Sequence, residues 1–182
     1  MIDNQKILYK FSKTNKNIDW SSISYNYKLS DNFIRKFQDK VEWHFISKYQ
    51  TLSENFIKEF KDKVDWECIS LCQKLSENFI REFKNKVHWA EISINRNLSE
   101  DLIYKFQNEV NWYSISYAQQ LSENFIREFQ DEVDWYEISK YQKLSENFIR
   151  EFQNKVHWAE ISAQQTLSEN FKKEFKFKLN DG

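Results

Sequence analysis

The chain has 182 residues, with 27 Lys plus Arg against 28 Asp plus Glu, and a formal net charge of -1. That balance excludes an overall basic nucleic-acid clamp and a long acidic tail. One Gly, at Gly182, and no Pro exclude turn-rich sandwiches and enzymes built on a Gly-rich phosphate loop, while two Cys and three His leave little for a disulfide framework or a metal cage.

The first segment, Met1-Ile2-Asp3-Asn4-Gln5-Lys6, has no apolar signal region and no small-residue cleavage site. An intracellular location is therefore expected. No run of the chain approaches the length of apolar sequence a membrane span needs. Ile7, Leu8 and Phe11 keep part of the pattern that follows, so residues 1–19 read as a degenerate N-terminal cap.

From Trp20 onward the sequence is strictly periodic. Trp20, Trp43, Trp66, Trp89, Trp112, Trp135 and Trp158 are each 23 residues apart, and an Ile follows every Trp by three. A Leu-Ser pair recurs in phase from Leu29-Ser30 to Leu167-Ser168, and LSENFIREFQ stands unaltered at 121–130 and 144–153. Such a register marks a tandem repeat. In Leu29 to Val41, the residues Phe33, Ile34, Phe37 and Val41 share one helical face. Ser30 is the expected N-cap, with Leu29 and Ile34 as a hydrophobic staple. Asp134 is the expected N-cap of the second helix, with Glu137 at N3 completing a capping box. Each unit thus reads as a first helix of about ten residues and a second of about eight, joined by linkers of about two.

The predicted fold is all-α: an α-solenoid of about seven 23-residue helical-hairpin repeats with degenerate terminal caps. It is expected as a single repeat domain over 1–182, with repeats over 20–166 and a C-terminal capping helix over 167–182, where Lys172 replaces the core Ile.

The first helix presents paired charges. Glu54–Lys58, Glu77–Arg81, Glu123–Arg127 and Glu146–Arg150 are i,i+4 pairs, as are Glu59–Lys63, Glu82–Lys86 and Glu151–Lys155. They read as a solvated, helix-stabilising face. On the second helix the near-constant positions are Trp, Ile three on, Ser four on and mostly Gln seven on, which form one stripe at 100° per residue. The positions one, two, five and six after Trp form the opposite stripe, and they vary. Drift on a solvated face, packing between repeats and partner recognition all account for that variation. The last is favoured because the outward face of the first helix hardly changes. The candidate recognition residues are Tyr25, His44, Lys48, Tyr49, Leu71, Ile94, Tyr113, Tyr117, Tyr136, Lys140 and Tyr141.

No catalytic constellation stands out. Carboxylates recur as surface columns, whereas an acid–base pair needs asymmetric environments. Cys68 and Cys72 are i,i+4 and read as incidental thiols, His44 reads as solitary, and His88 and His157 substitute in the N-cap column. No catalytic, cofactor-binding or metal residue is expected, and no cofactor.

The unit LSENFIREFQDEVDWYEISKYQK (121–143) resembles the short tandem repeats of uncharacterised proteins of giant DNA viruses of amoebae, the mimivirus relatives. The resemblance covers about 20–179. It implies a viral origin, a place in the host-cell cytoplasm and a host-facing role, and it transfers no site. The functional expectation is a non-enzymatic, monomeric protein-binding scaffold. The alternatives are a modular single-stranded nucleic-acid binder, with Tyr and Lys meeting bases and phosphates, or a structural assembly protein.

Overall fold

A computed structural model describes residues 18–94 and 98–180, the last two of these by backbone alone. The expected N-terminal cap over 1–19 lies almost wholly outside the described residues. The chain divides into two compact units, Met1–His88 and Trp89–Gly182. The first unit holds α1 (Trp20–Asn26), α2 (Asp31–Lys36), α3 (Trp43–Tyr49), α4 (Glu54–Glu59), α5 (Trp66–Cys72) and α6 (Glu77–Glu82). The second holds α7 (Trp89–Ile94), α8 (Glu100–Lys105), α9 (Trp112–Ala118), α10 (Glu123–Glu128), α11 (Trp135–Tyr141), α12 (Glu146–Glu151), α13 (Trp158–Gln164), α14 (Glu169–Glu174) and α15 (Lys176–Asn180). Among the described residues there is no strand. Each unit is an α-helical repeat solenoid. In the first, α1 packs on α3 and α3 on α5; in the second, α7, α9, α11 and α13 pack in succession.

The Ser-capped helices start as predicted. The hydroxyls of Ser30, Ser53, Ser76, Ser122 and Ser145 each accept the N–H three residues on, at 3.2 Å. They end earlier than predicted. Each has six residues and stops at a Phe, such as Phe60 with φ near -110° and ψ near 27°. A separate turn follows, in which the Lys63 and Val64 N–H groups both donate to the Phe60 carbonyl. The turn frees the carbonyl just past the Phe, and the Trp uses it. Indole Nε1 of Trp43 donates to Gln38 O at 2.9 Å, Trp66 to Lys61 O, and Trp135 to Gln130 O. The ten-residue helix read from apolar spacing is thus a short helix plus a Trp-latched turn.

The same indole then packs forward. Trp43 lies 4.9 Å from Phe60 and 6.4 Å from Phe56, ring centre to ring centre. Trp135 repeats this on Phe148 and Phe152. Around these rings the Ile after each Trp is fully buried, as at Ile46, Ile69, Ile115 and Ile138. Only a side chain with both a large apolar body and an N–H donor serves both contacts, which accounts for Trp in every repeat.

Within each unit, two polar columns join successive repeats. The buried Ser four residues after Trp accepts the N–H of the following N-cap residue, as Ser47 does from Asp65 at 2.9 Å and Ser116 from Asp134 at 2.9 Å. Ser70, Ser93, Ser116 and Ser139 also donate to the carbonyl of their own Trp. The buried Gln seven residues after Trp reaches back a repeat. Gln73 Nε2 donates to the carbonyls of Ser47 (2.9 Å) and Gln50 (2.8 Å), and its Oε1 accepts the Leu52 N–H at 3.0 Å. Those are the groups that the end of a helix leaves unpaired. Gln50 and Gln142 do the same for their own predecessors. Among the described residues no buried side-chain polar atom lacks a partner.

The capping box at Asp134 is half formed. Asp134 Oδ1 accepts the Glu137 N–H at 3.0 Å, but the Asp134 N–H goes to Ser116. This also explains His157, which makes no side-chain cap: its N–H is taken by Ser139, so the column tolerates a non-capping residue. The charge pattern differs likewise. The short ion pairs of the first helices join residues 24 apart, one repeat to the next: Lys58–Glu82 at 2.5 Å, Arg127–Glu151 at 2.8 Å, Arg35–Glu59 at 2.9 Å and Arg150–Glu174 at 3.0 Å. The i,i+4 contacts are longer, 3.5 Å for Arg81–Glu77 and 3.8 Å for Arg127–Glu123. Lys63 and Lys155 point to Asp39 and Asp131 of the preceding repeat, not to Glu59 and Glu151. A 23-residue repeat brings equivalent helices side by side, and a long cation reaches the neighbour more easily than its own next turn.

Candidate functional site

Apart from the buried Ala118, the part of the variable stripe at positions one, five and six after Trp lies on the outside of the Trp helices. Its large apolar members are exposed, from 38% at Tyr117 to 57% at Leu71 and Tyr113, with Tyr25, Tyr49, Ile94, Tyr136 and Tyr141 between. The helix geometry dictates this. Trp, Ile, Ser and Gln commit one face of a seven-residue helix to the core and to the preceding repeat. Of what remains, position two after Trp turns toward the neighbouring repeat, where Cys68, Ser114 and Glu137 are buried, contrary to the outward stripe expected from helical angles, and the other positions face out.

Within each unit, neighbouring stripe residues touch. In the first unit Tyr25 meets Tyr49 edge-on, ring centres 4.7 Å apart, and also Phe45 at 5.7 Å. Lys48 lies over the Tyr49 ring at 5.6 Å. In the second unit Tyr117 meets Tyr141 at 4.8 Å, again edge-on. Lys140 is half-buried between Tyr136 and Tyr141, at 5.2 Å and 5.3 Å from the ring centres. Its hydrogen bond to the Tyr136 hydroxyl, 3.4 Å, raises its pKa above the ordinary lysine value. Tyr136 also stands edge-on to His157 at 5.0 Å. Tyr113 bonds to the buried Glu137 of the next repeat, and that carboxylate raises the phenol above its ordinary range. The stripe is therefore a set of braced aromatic ledges. Contacts between repeats brace them, and each tyrosine stays exposed.

One member does not behave as expected. His44 is not solitary. Its Nδ1 lies 2.8 Å from Asp65 Oδ2 and 3.6 Å from Cys68 Sγ, both on the next repeat. Burial, then the Asp65 charge, pushes the Cys68 thiol up, and the His44 hydrogen bond holds Asp65 below the usual carboxylate range. Cys72, four residues on, is exposed. Spacings of 21 and 24 residues carry no meaning on a single helix, so only the repeat itself relates the three positions.

Tyr104 is a further residue that the stripe did not anticipate. It is exposed and occupies the Arg column of the first helix, where it stands edge-on to Phe129 at 5.8 Å. In other repeats the cation of this column lies over the earlier Phe of the next repeat, as Arg127 does over Phe148 at 5.1 Å. Asn95, in the variable stripe, lies outside the described residues.

No family model, curated protein or solved structure matches the chain. Among the described residues no helix is long and apolar enough to cross a membrane.

Proposed function

We propose that the chain is a non-enzymatic protein-binding repeat scaffold that reads its partner through the variable outward face of the Trp helices. The observation that carries this is the coincidence of variation and exposed apolar area. The columns that hold the repeats together are nearly constant, while the adjoining columns place exposed tyrosines on rigid, braced positions in each unit. Rigid aromatic side chains with a polar tip are enriched where proteins bind proteins, because they bring much contact area at little entropic cost. The resemblance to repeats of giant viruses adds a host protein as the partner class.

The nucleic-acid alternative is weaker on the same page. Arg35, Arg127 and Arg150 each sit between a carboxylate of their own helix and one of the next repeat. A phosphate track needs cations free to release counterions.

The test is capture from host-cell lysate by the purified chain, with and without nuclease, beside a Tyr113→Ala, Tyr117→Ala, Tyr136→Ala, Tyr141→Ala variant. The expected result is a nuclease-resistant protein captured by the wild type and lost by the variant. Equal capture by both proteins overturns the proposal, and nuclease-sensitive capture transfers it to nucleic acid.

A further inference from the structure

We propose that His44, Asp65 and Cys68 form a site for a divalent transition metal of the zinc type, bridging two adjacent repeats and independent of the partner-recognition reading. The three donors come from two helices and meet at one point: His44 from the first turn of α3, Asp65 from the N-cap of α5, and Cys68 from its first turn. Their ligand atoms all lie within 4.8 Å of one another.

The spacing suits tetrahedral coordination. Zinc bonds of about 2.0 Å to nitrogen and about 2.3 Å to sulfur separate those ligands by about 3.6 Å. His44 Nδ1 and Cys68 Sγ stand 3.6 Å apart. His44 Nδ1 and Asp65 Oδ2, at 2.8 Å, are closer than the roughly 3.4 Å that zinc requires. A small rotation of the exposed His44 ring opens that gap without moving the backbone.

The surroundings orient the donors. The other oxygen of Asp65, Oδ1, accepts the Cys68 N–H at 3.0 Å, and the Asp65 N–H is held by Ser47 Oγ at 2.9 Å. The carboxylate is thus locked with Oδ2 turned to the metal position, as outer hydrogen bonds do at metal centres. Cys68 is buried, and its sulfur is turned to His44 Nδ1 at 3.6 Å. On binding, the Cys68 S–H bond breaks, its proton passes to solvent, and a sulfur–metal bond forms. Thiolate and carboxylate together then balance a dication. Imidazole and thiolate select zinc-like ions over magnesium or calcium. Three protein ligands leave a fourth position open to water or to a donor from a partner.

The cluster occurs once among the described residues. The matching positions hold Ser21, Glu42 and Phe45 one repeat earlier, and Ala90, Asn111 and Ser114 two repeats later. The repeat itself therefore supplies fold-compatible controls. Ser stands at 22 and 114 in the Cys68 column, Ala at 90 and 159 in the His44 column, and Ala at 118 in the Cys72 column.

The experiment titrates the reduced, metal-free full chain first with Co²⁺ and then with Zn²⁺. The expected result is one ion per chain, a sulfur-to-cobalt charge-transfer band in the near ultraviolet, and displacement of that band by Zn²⁺. Cys68→Ser abolishes the band, and His44→Ala weakens binding by at least about tenfold, since even outer-shell losses cost 10–100-fold. Cys72→Ala leaves both intact. Zn²⁺ at about 100 times its dissociation constant raises the folding equilibrium constant about 100-fold, and the rise disappears in Cys68→Ser. Circular dichroism verifies that each variant is folded. Absence of the band at saturating Co²⁺, or a band that survives Cys68→Ser or requires Cys72, overturns the proposal.

Discussion

At the scale of single residues, the fold rests on polar side chains that serve two repeats at once. Gln73 is the sharpest case, since it satisfies one N–H and two carbonyls of the preceding repeat from a buried position. Gln73→Ala leaves those groups without partners, and we expect a loss of about 2–4 kcal/mol in chemical denaturation. Gln165 makes the same contacts from a half-buried position, so Gln165→Ala is expected to cost less. Trp135→Phe tests the latch. It keeps an aromatic body on Phe148 and Phe152 but deletes the donor to Gln130, and a loss of about 1–2 kcal/mol is expected by the same assay. Trp and Ile announced themselves through period and hydrophobicity. The Ser and Gln columns were visible as constant positions, yet their role was not. A hydrogen bond to a residue 18 to 26 positions away leaves no trace in helical spacing.

Helices of six and seven residues are far below the length that is stable alone, so caps and neighbours decide whether they form. Ser145→Ala removes the bond to the Phe148 N–H, with an expected cost of about 1 kcal/mol to unfolding stability. The Glu column couples successive first helices, because Glu146 Oε1 accepts the Ser168 N–H at 2.6 Å. That bond, then the Ser168 hydroxyl, holds the Glu146 carboxyl below its ordinary value. The coupling is therefore complete above the ordinary glutamate pKa and is lost as the pH falls through the lower folded value. Melting temperatures of the wild type and Glu146→Gln are expected to differ at neutral pH and to converge in acid. A constant gap at every pH would contradict this. Apolar spacing could not separate Phe37 and Val41 into helix end and turn, because both face the core either way. The i,i+4 charge pairs looked sufficient because the alternative partner, 24 residues on, becomes visible only once the helices are stacked.

Across the whole molecule, one division of labour repeats in both units. Within each unit, Trp, Ile, Ser and Gln columns make successive repeats depend on one another, and the exposed positions beside them vary. The all-helical repeat architecture was legible because seven tryptophans kept one register. Of the variable positions, helix angles made the exposure of Tyr25, Leu71, Tyr113 and Tyr136 legible but not the burial of position two, where Cys68, Ser114 and Glu137 pack between repeats. That His44 joins Asp65 and Cys68 was not, because the join lies between repeats. The central claim, that the constant columns carry stability and the variable stripe carries recognition, is tested most directly by one paired measurement. Melting temperature and capture of the lysate partner are compared for Gln142→Ala and for the four-tyrosine variant at 113, 117, 136 and 141. Gln142→Ala is expected to melt clearly earlier but still capture the partner below its melting point, while the tyrosine variant is expected to melt within a few degrees of wild type and capture nothing. A tyrosine variant that captures normally, or one that fails to capture only because it has unfolded, would contradict it.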